Sequence, residues 1–334
     1  MVQVRNFIIT SHSIIFSLLL ASLLLFLNNG CSNVSGEPKD SDAPAHKYTV
    51  LPAELPSELD FAGEKVPLEL MDVMESLDRE LLVNMYWQSQ TMLFLKKTKR
   101  FFSIIEPILK KHGIPDDFKY LSLIESGFFP TAVSPSGATG LWQVLEGTAR
   151  DYGLEVNAEI DERYHAEKAT EAACKYLLDS FKVYESWTMA AASYNAGRNG
   201  INRQIGRQKE KDYYDLLLNE ETARYIYRIL AVKLIISKPE KYGFYLTEED
   251  YYPVVPYFEV TIDRSIDDFS VFARSYGISY KTLKWMNPWL RDTKLTNRLN
   301  KTYYIKIPRK GLFRHFEDEQ TLYPEGEQDN TGIL

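Results

Sequence analysis

The chain has 334 residues, a formal charge of -7 and many aromatic residues, with 22 Tyr and 17 Phe. Its length allows a large core and two domains, because domains commonly span about 100–200 residues. The acidic charge argues against nucleic acid as a partner, since phosphate binding requires clustered Lys and Arg. The five histidines are scattered and form no HExxH motif, so we expect no catalytic zinc.

The first 31 residues have the pattern of an export signal. Arg5 supplies a positive charge, and the apolar run at residues 14–27 is shorter than the roughly 20 residues of a membrane span. The next residues, NNGCS, place Cys31 where a bacterial lipoprotein signal has its lipidated cysteine, although Asn28 stands where that pattern has Leu. The sequence therefore predicts a lipoprotein signal over residues 1–31, with an ordinary secreted protein or an N-terminal anchor helix as alternatives.

Residues 66–240 show helical periodicity and no strand pattern, so the sequence predicts a mainly α domain. Residues 32–65, before it, are polar and contain Pro, as expected of a flexible tether. Cys174 lies in an Ala-rich helical context and is predicted to be a small core residue. The predicted helices cover residues 67–112 (ended by Gly113), 116–126, 166–184, 187–196 (ended by Gly197) and a long helix after the capping residue Asn219.

The texture of the chain changes after residue 240. YYPVVPYFEVTI and TYYIKIP are rich in β-forming residues, and two short helical stretches lie between them, at residues 266–276 and 280–286. The sequence therefore predicts a small β-α-α-β module over residues 255–310. Residues 312–334 are acidic with little apolar material and are predicted to form a flexible tail.

Four blocks in the helical region are similar to the lytic transglycosylase family, which has a goose-type, lysozyme-like fold. In chain order they are LIESGFFPTAVSPSGATGLWQ, TARDYGL with DER and ATEAACKYL, WTMAAASYNAG, and ETARYIYRILA. They fall within residues 113–236, about a third of the chain. Each block alone is a weak signal, but four in the family's order are specific.

The resemblance implies that Glu125 is the catalytic acid and base, and its surroundings agree. Leu121 and Ile124 lie on the buried face of the predicted helix, so the neighbouring carboxyl loses hydration, which favours its protonated form. Such a carboxyl can protonate a glycosidic oxygen near neutral pH. A solvated charge at the end of a helix is the alternative.

The family's reaction explains a single catalytic carboxylate. The resemblance implies that the 2-acetamido group of N-acetylmuramic acid (MurNAc) stabilises the anomeric cation and that the same sugar's C6 hydroxyl attacks it. Glu125 then accepts the hydroxyl proton, and the product carries a 1,6-anhydro end. A hydrolytic muramidase of the goose-lysozyme kind and a non-catalytic wall-binding scaffold are the alternatives.

The resemblance also implies substrate-binding residues around the cleaved bond. Ser134 would assist Glu125 or the acetamido group, although an ordinary turn hydroxyl is equally compatible with its context. Trp142 is compatible with stacking on a sugar, but a place in the core is favoured. Leu145 and Glu146 depart from the family's common Met and Pro. The remaining predicted contacts are Gln143, the pair Tyr194 and Asn195 at a helix C-terminus, and the pair Glu221 and Tyr225 one helical turn apart.

Residues 257–308 resemble a LysM glycan-binding module, with DRSI in place of the usual GDTL. They would bind glycan or serve only as a packing module. Taken together, the resemblance implies a peptidoglycan lytic transglycosylase in the cell envelope that uses no cofactor. We expect a monomer that is anchored to the outer membrane through a lipid on Cys31. The protein is expected to face the periplasm.

Overall fold

The computed structural model describes residues 50–316 of the chain. The predicted lipoprotein signal with Cys31, residues 32–49 of the predicted tether and residues 317–334 of the predicted tail lie outside the described residues. The described residues from Pro52 onward belong to one compact unit. They are mainly helical, which confirms the predicted fold class. No helix among residues 50–316 has the length and apolarity that crossing a bilayer requires.

The helices of the N-terminal domain follow the predicted order. One difference is that the predicted helix at 67–112 is two helices separated at Trp87, whose backbone is not helical. Gly113 ends the second of them in the left-handed conformation, as predicted. The elements of this domain are α1 (Met71–Tyr86), α2 (Gln88–His112), α3 (Phe118–Ser126), α4 (Glu146–Asp151), α5 (Ala166–Tyr184), α6 (Trp187–Ala196), α7 (Arg198–Gln208) and α8 (Glu220–Ser237).

Helix α8 packs against α1, α3 and α6 and carries part of the site. Asn219 caps it as predicted, with the side-chain oxygen accepting a hydrogen bond from the backbone N–H of Thr222 at 3.0 Å. Ile229 and Leu230 are fully buried. Arg224 pairs with the buried Glu80 of α1, with Nε 2.6 Å from Oε1. These contacts fix the rotation of α8 about its axis.

Part of the segment that the sequence assigned to a tether is packed against the domain. Strands β1 (Asp60–Phe61) and β2 (Glu64–Lys65) form a small antiparallel hairpin. Phe61 is fully buried, and Glu64 accepts a hydrogen bond from the backbone N–H of Thr188 at 2.9 Å. A carboxylate at the N-terminus of α6 satisfies donors that have no partner within the helix. The polar composition of the segment did not indicate this role.

The C-terminal module has the predicted β-α-α-β order. Strands β3 (Tyr257–Ile262) and β4 (Tyr303–Pro308) pair antiparallel, with Tyr257 opposite Pro308 and Ile262 opposite Tyr303. Helices α9 (Phe269–Ser275) and α10 (Tyr280–Met286) lie between them in the chain, and α9 is shorter than predicted.

The C-terminal module packs directly against the N-terminal domain, which we also call the helical domain. Ile160 and Tyr164 of the helical domain belong to the apolar core of the module. Backbone bonds reinforce this contact: the N–H of Asp161 donates to the carbonyl of Trp289 at 2.9 Å, and the N–H of Arg291 donates to that of Glu159 at 2.7 Å. The two parts therefore share a continuous buried surface.

Candidate active site

Helix α3 places Glu125 in its last turn, beside a loop that is tied to the same helix. Gly127 ends the helix in the left-handed conformation, and a Cβ there would lie 3.0 Å from the ring of Phe94. Ser122 Oγ donates to the carbonyl of Leu141 at 3.1 Å, which ties the helix to the loop. The position of Glu125 therefore depends on a short helix that is fixed at its C-terminal end.

Glu125 is a half-buried carboxyl whose ionised form is disfavoured. Burial raises the pKa of Glu125 to about 7; a hydrogen bond from Tyr225 and the charge of Arg228 oppose the rise, and the charge of Glu221 adds to it. Tyr225 is fully buried and donates its hydroxyl proton to Glu125 Oε1. A carboxyl with this pKa is partly protonated at neutral pH, as a general acid requires.

Glu125 lies at the wall of a cavity of about 460 Å³. This volume lies within the range of small-ligand pockets. Six of the seven residues that the family resemblance implied, Glu125 included, line it together, although they come from three helices and a loop. The lining includes Glu125, Ser134, Gln143, Tyr194, Asn195 and Glu221 from that set, and also Leu145, Thr148, Tyr152 and Tyr176.

The loop between α3 and α4 turns on two glycines. Gly137 and Gly140 have φ angles of 81° and 80°, which favour glycine. At Gly140 a Cβ would lie 2.0 Å from the carbonyl oxygen of Arg163, so the backbone approaches too closely for any side chain. Arg163 also donates from Nη1 to the carbonyl of Gly137 at 3.1 Å and is held by Asp161, with Nη2 2.7 Å from Oδ2. The loop is thus clamped from behind.

Ser134 and Gln143 make their hydrogen bonds within this loop. Ser134 Oγ lies 2.9 Å from Ser136 Oγ and accepts from the backbone N–H of Ala138 at 3.0 Å, so it is a turn hydroxyl that also lines the cavity. Gln143 has a φ of 46°, and its amide nitrogen donates to the carbonyl of Gly140 at 2.9 Å. Its carbonyl oxygen is the group that remains for a ligand.

The residues on α6 and α8 meet across the cavity from the loop. Tyr194 donates its hydroxyl proton to the carbonyl of Trp142 at 2.7 Å, so this hydroxyl can meet a ligand only as an acceptor. Asn195 Oδ1 accepts from the hydroxyl of Thr222 at 2.8 Å, and Asn195 Nδ2 lies 3.5 Å from Glu221 Oε1. The amide of Asn195 is therefore oriented by α8.

Comparison with known proteins identifies the domains that carry this geometry. Residues 102–217 match the family described as "Transglycosylase SLT domain". The chain contains an SLT transglycosylase domain. Residues 258–311 match the "Soluble lytic transglycosylase C-terminal LysM-like domain", so the C-terminal module is LysM-like. The SLT match ends before α8, which supplies Glu221 and Tyr225.

Relatives of the SLT domain are found among membrane-bound enzymes. The chain is 28% identical over 207 residues to "Membrane-bound lytic murein transglycosylase D" of Escherichia coli K12, covering 60% of this chain and 45% of that protein. It is 32% identical over 118 residues to "Membrane-bound lytic murein transglycosylase F" of Salmonella typhi, covering 32% and 23%. The chain thus spans under half the length of these relatives. The crystal structure of an inactive variant of the lytic transglycosylase Slt from Pseudomonas aeruginosa is 19% identical, with a TM-score of 0.35, and covers 46% of this chain and 26% of that one.

Several residues of the SLT domain that line or support the cavity were not predicted. Tyr152 and Tyr176 line it, and Arg198 holds both, donating to the hydroxyl of Tyr152 at 3.1 Å and lying 5.0 Å from the ring centre of Tyr176. Arg163 and Asp161 belong to the DER block, so the sequence contained their signal. Tyr152 and Tyr176 also lie in quoted family blocks, but their place in the cavity depends on the packing of α5 and α7.

The ambiguous positions of the SLT domain are also resolved. Trp142 is fully buried, as expected, and donates from its indole nitrogen to Thr170 Oγ1 at 2.8 Å. Cys174 is fully buried, as predicted. Leu145 lines the cavity, whereas Glu146 pairs with Arg150 one turn along α4. Of the two departures from the family pattern, only Leu145 faces the candidate substrate site.

Proposed function

We propose that this protein is a peptidoglycan lytic transglycosylase that cleaves the β-1,4 bond between MurNAc and N-acetylglucosamine and leaves a 1,6-anhydro end on MurNAc. The observation that carries the proposal is the environment of Glu125 within an SLT domain. Glu125 is a half-buried carboxyl with a raised pKa at the wall of a cavity of about 460 Å³. No cofactor is needed for this chemistry.

In the proposed reaction Glu125 serves in both steps. The protonated carboxyl transfers its proton to the glycosidic oxygen as the bond from C1 to that oxygen breaks. The C6 hydroxyl of the same MurNAc then forms a bond to C1, and its proton passes to the Glu125 carboxylate, which restores the starting state. The oriented amide of Asn195 and the carbonyl oxygen of Gln143 are proposed to hold the sugar in the geometry of this internal attack.

A hydrolytic muramidase is the second candidate, and the position of Glu221 is the observation that favours it. Glu221 is a second carboxylate on the wall of the same cavity. Inverting glycosidases use such a carboxylate to activate a water molecule. Against this, Asn195 Nδ2 lies 3.5 Å from Glu221, and the predicted role of Glu221 is that of a binding residue.

Mass spectrometry of digested peptidoglycan distinguishes the candidates. Purified sacculi incubated with the protein should release fragments with anhydro ends, each lighter by one water than the corresponding reducing-end fragment. A Glu221→Gln variant should still produce anhydro ends, at a lower rate. If the wild type instead releases fragments with reducing ends and the Glu221→Gln variant does not, the reaction is hydrolysis. If the wild type releases no fragment, the protein is a wall-binding scaffold.

The proposal includes the location of the protein. The similarity to membrane-bound lytic murein transglycosylases supports a place in the cell envelope. We propose that Cys31 is lipidated and anchors a monomeric enzyme to the periplasmic face of the outer membrane. We also propose that the C-terminal module contacts glycan, because its family is LysM-like.

A further inference from the structure

A second cavity lies between the N-terminal helical domain and the C-terminal module, and we call it the interdomain cleft. Its volume is about 410 Å³. Lys97 and Arg100 of α2, Tyr252 of the connecting segment and Trp285 of α10 are among its lining residues. Within residues 50–316, it shares no lining residue with the active-site cavity. The interdomain cleft is therefore a separate place where a ligand could bind.

The walls of the interdomain cleft present large aromatic side chains to solvent. The side chain of Phe129 is 54% exposed and that of Trp285 is 47% exposed, and both line the cleft together with Tyr257. Exposing so much apolar surface is unfavourable unless it serves binding. Concave sites lined by aromatic residues with a few polar groups are typical of small-ligand pockets.

Two cations of α2 face these aromatic walls. Lys97 Nζ lies 3.1 Å from the ring centre of Phe129 and donates to the carbonyl of Gly127 at 2.8 Å. The guanidinium of Arg100, three residues later and so on the same face of α2, lies 5.5 Å from the ring centre of Trp285 and 5.7 Å from that of Tyr252. Both cations are thus held beside the flat side chains of the cleft.

Neither cation has a carboxylate partner among the described residues. Each makes its polar contact with a backbone carbonyl, that of Gly127 for Lys97 and that of Pro253 for Arg100. Glu167 is the one acidic residue among the described residues of the lining, and it is already paired with Lys306. The cleft therefore contains more cationic than anionic charge, in a chain whose formal charge is -7.

The unpaired charge is energetically costly where it lies. Burial lowers the pKa of Lys97 to about 8 and also lowers the pKa of Arg100. A buried cation without a counter-ion loses hydration and gains no ion pair in return. An anion in the cleft would supply the missing partner for both groups at once.

We propose that the interdomain cleft binds an organic anion, with its flat apolar body against Phe129 and Trp285 and its carboxylate between Lys97 and Arg100. The aromatic rings contribute apolar burial and stacking. The two cations contribute charge-assisted hydrogen bonds, which are stronger than neutral ones and select for a negative group. Binding at this site requires neither Glu125 nor cleavage of a polymer.

Two nearly isosteric probes test the proposal. Full-length protein, kept in solution with a non-ionic detergent, is titrated with 2-naphthoate and with 2-naphthamide by isothermal calorimetry, and detergent alone is the blank. We expect one naphthoate per chain and an affinity for naphthamide that is weaker by about tenfold, because a charge-assisted hydrogen bond is lost. Equal binding of both probes, or binding of neither, would overturn the proposal.

Matched variants locate the site. Arg100→Gln and Lys97→Gln should each weaken naphthoate binding by about tenfold and leave naphthamide binding nearly unchanged. Arg100→Lys should retain part of the affinity. Lys99→Gln is the control, because Lys99 lies on the same helix but pairs with Glu248 outside the cleft. Thermal unfolding checks that each variant folds, and naphthoate binding that is unchanged in folded Arg100→Gln and Lys97→Gln proteins would exclude this site.

Discussion

Tyr225 donates a hydrogen bond to Glu125 Oε1, and so joins two helices across 100 positions of the chain. Tyr225 is fully buried, and burial also raises the pKa of Glu125 to about 7. The hydrogen bond opposes this rise, since it stabilises the carboxylate form. The proton affinity of the proposed acid is therefore a balance between burial, which α3 provides, and one hydroxyl on α8.

The first prediction concerns that balance. In Tyr225→Phe the carboxylate loses its donor, so the pKa of Glu125 should rise further. The high-pH limb of the rate profile, where Glu125 loses the proton that it must donate, should move upward by about one pH unit. We also expect the maximal rate to fall by about tenfold, because the carboxyl is less firmly held. The pH dependence of fragment release from sacculi measures both effects.

Tyr213→Phe is the matched control for this prediction. Tyr213 is also a buried tyrosine, and its hydroxyl donates to the carbonyl of Thr222 at 2.9 Å, not to Glu125. Its loss should lower stability without moving the pH limb. A limb that moves equally in both variants would mean that Tyr225 has no specific effect on Glu125.

The second prediction is that Glu125→Gln keeps the fold and abolishes cleavage. Glutamine preserves shape and hydrogen bonding but cannot transfer a proton. General acid and base assistance is typically worth about 10²–10⁴-fold in rate, and here one group would serve both steps. Turnover assays on sacculi measure the loss. A variant with a tenth of wild-type turnover would contradict the assigned role.

The same substitution should change how stability depends on pH. The pKa of Glu125 is about 7 in the folded protein and has an ordinary value of 4.5. Because the pKa is raised in the folded protein, the folded state binds the proton of Glu125 more tightly than the unfolded state. This stabilisation is fully present below about pH 4.5 and is lost as the pH rises through about 7. Relative to Glu125→Gln, the free energy of unfolding of the wild type should therefore fall by up to about 3 kcal/mol over this range. Denaturant titrations at pH 4.5 and 8 measure the difference.

The third prediction uses the two glycines of the active-site loop. Gly140→Ala places a Cβ 2.0 Å from the carbonyl oxygen of Arg163, whereas at Gly137 no atom lies within 4 Å of an added Cβ. Both positions have positive φ, so both variants carry backbone strain of about 1–2 kcal/mol. Only Gly140→Ala also requires the clamp to move, so it should lose about 3 kcal/mol or more and most activity. Similar unfolding midpoints for the two variants would disprove the close approach.

The fourth prediction concerns removal of the C-terminal module. The module is removed by ending the chain after residue 250. This end point keeps Tyr242 and Phe244, which are buried in the helical domain. The cut still exposes Ile160 and Tyr164. We expect the melting temperature to fall by at least about 5 °C and activity on soluble glycan chains to decrease with it. An unchanged melting temperature would contradict the shared core.

Glycan binding by the module needs a separate variant, because truncation changes stability as well. Arg264 is exposed in the DRSI loop and is not part of the shared core. If the module contacts glycan there, Arg264→Glu should weaken the binding of intact protein to sacculi without changing its melting temperature. Unchanged pull-down by this variant together with a destabilised truncation would favour a packing role.

The last prediction tests the anchor. Cys31→Ala should release the protein from the membrane fraction without loss of activity on soluble substrate, because the lipid would be the link to the bilayer. Fractionation and labelling with a fatty acid analogue measure the effect. A variant that still sediments with membranes and incorporates label as before would refute lipidation of Cys31.

The sequence by itself determined the elements that depend on local patterns. Hydrophobic periodicity predicted the helices of the N-terminal domain other than α4 and α7. Gly113, Gly197 and Asn219 marked helix ends, because a helix cap depends on residues within a few positions of that end. The order of the four family blocks predicted the SLT domain, and the alternation of strand and helix predicted the C-terminal module. These features require no knowledge of long-range contacts.

Only the tertiary structure decided which groups meet. The pKa of Glu125 depends on Tyr225, and the DER block matters because Arg163 clamps a loop that lies 26 residues earlier in the chain, at Gly137. The packing of the C-terminal module against Ile160 and the unpaired cations of the interdomain cleft had no sequence signal. Burial and charge balance are sums over neighbours that are distant in sequence, and a local pattern contains none of those neighbours.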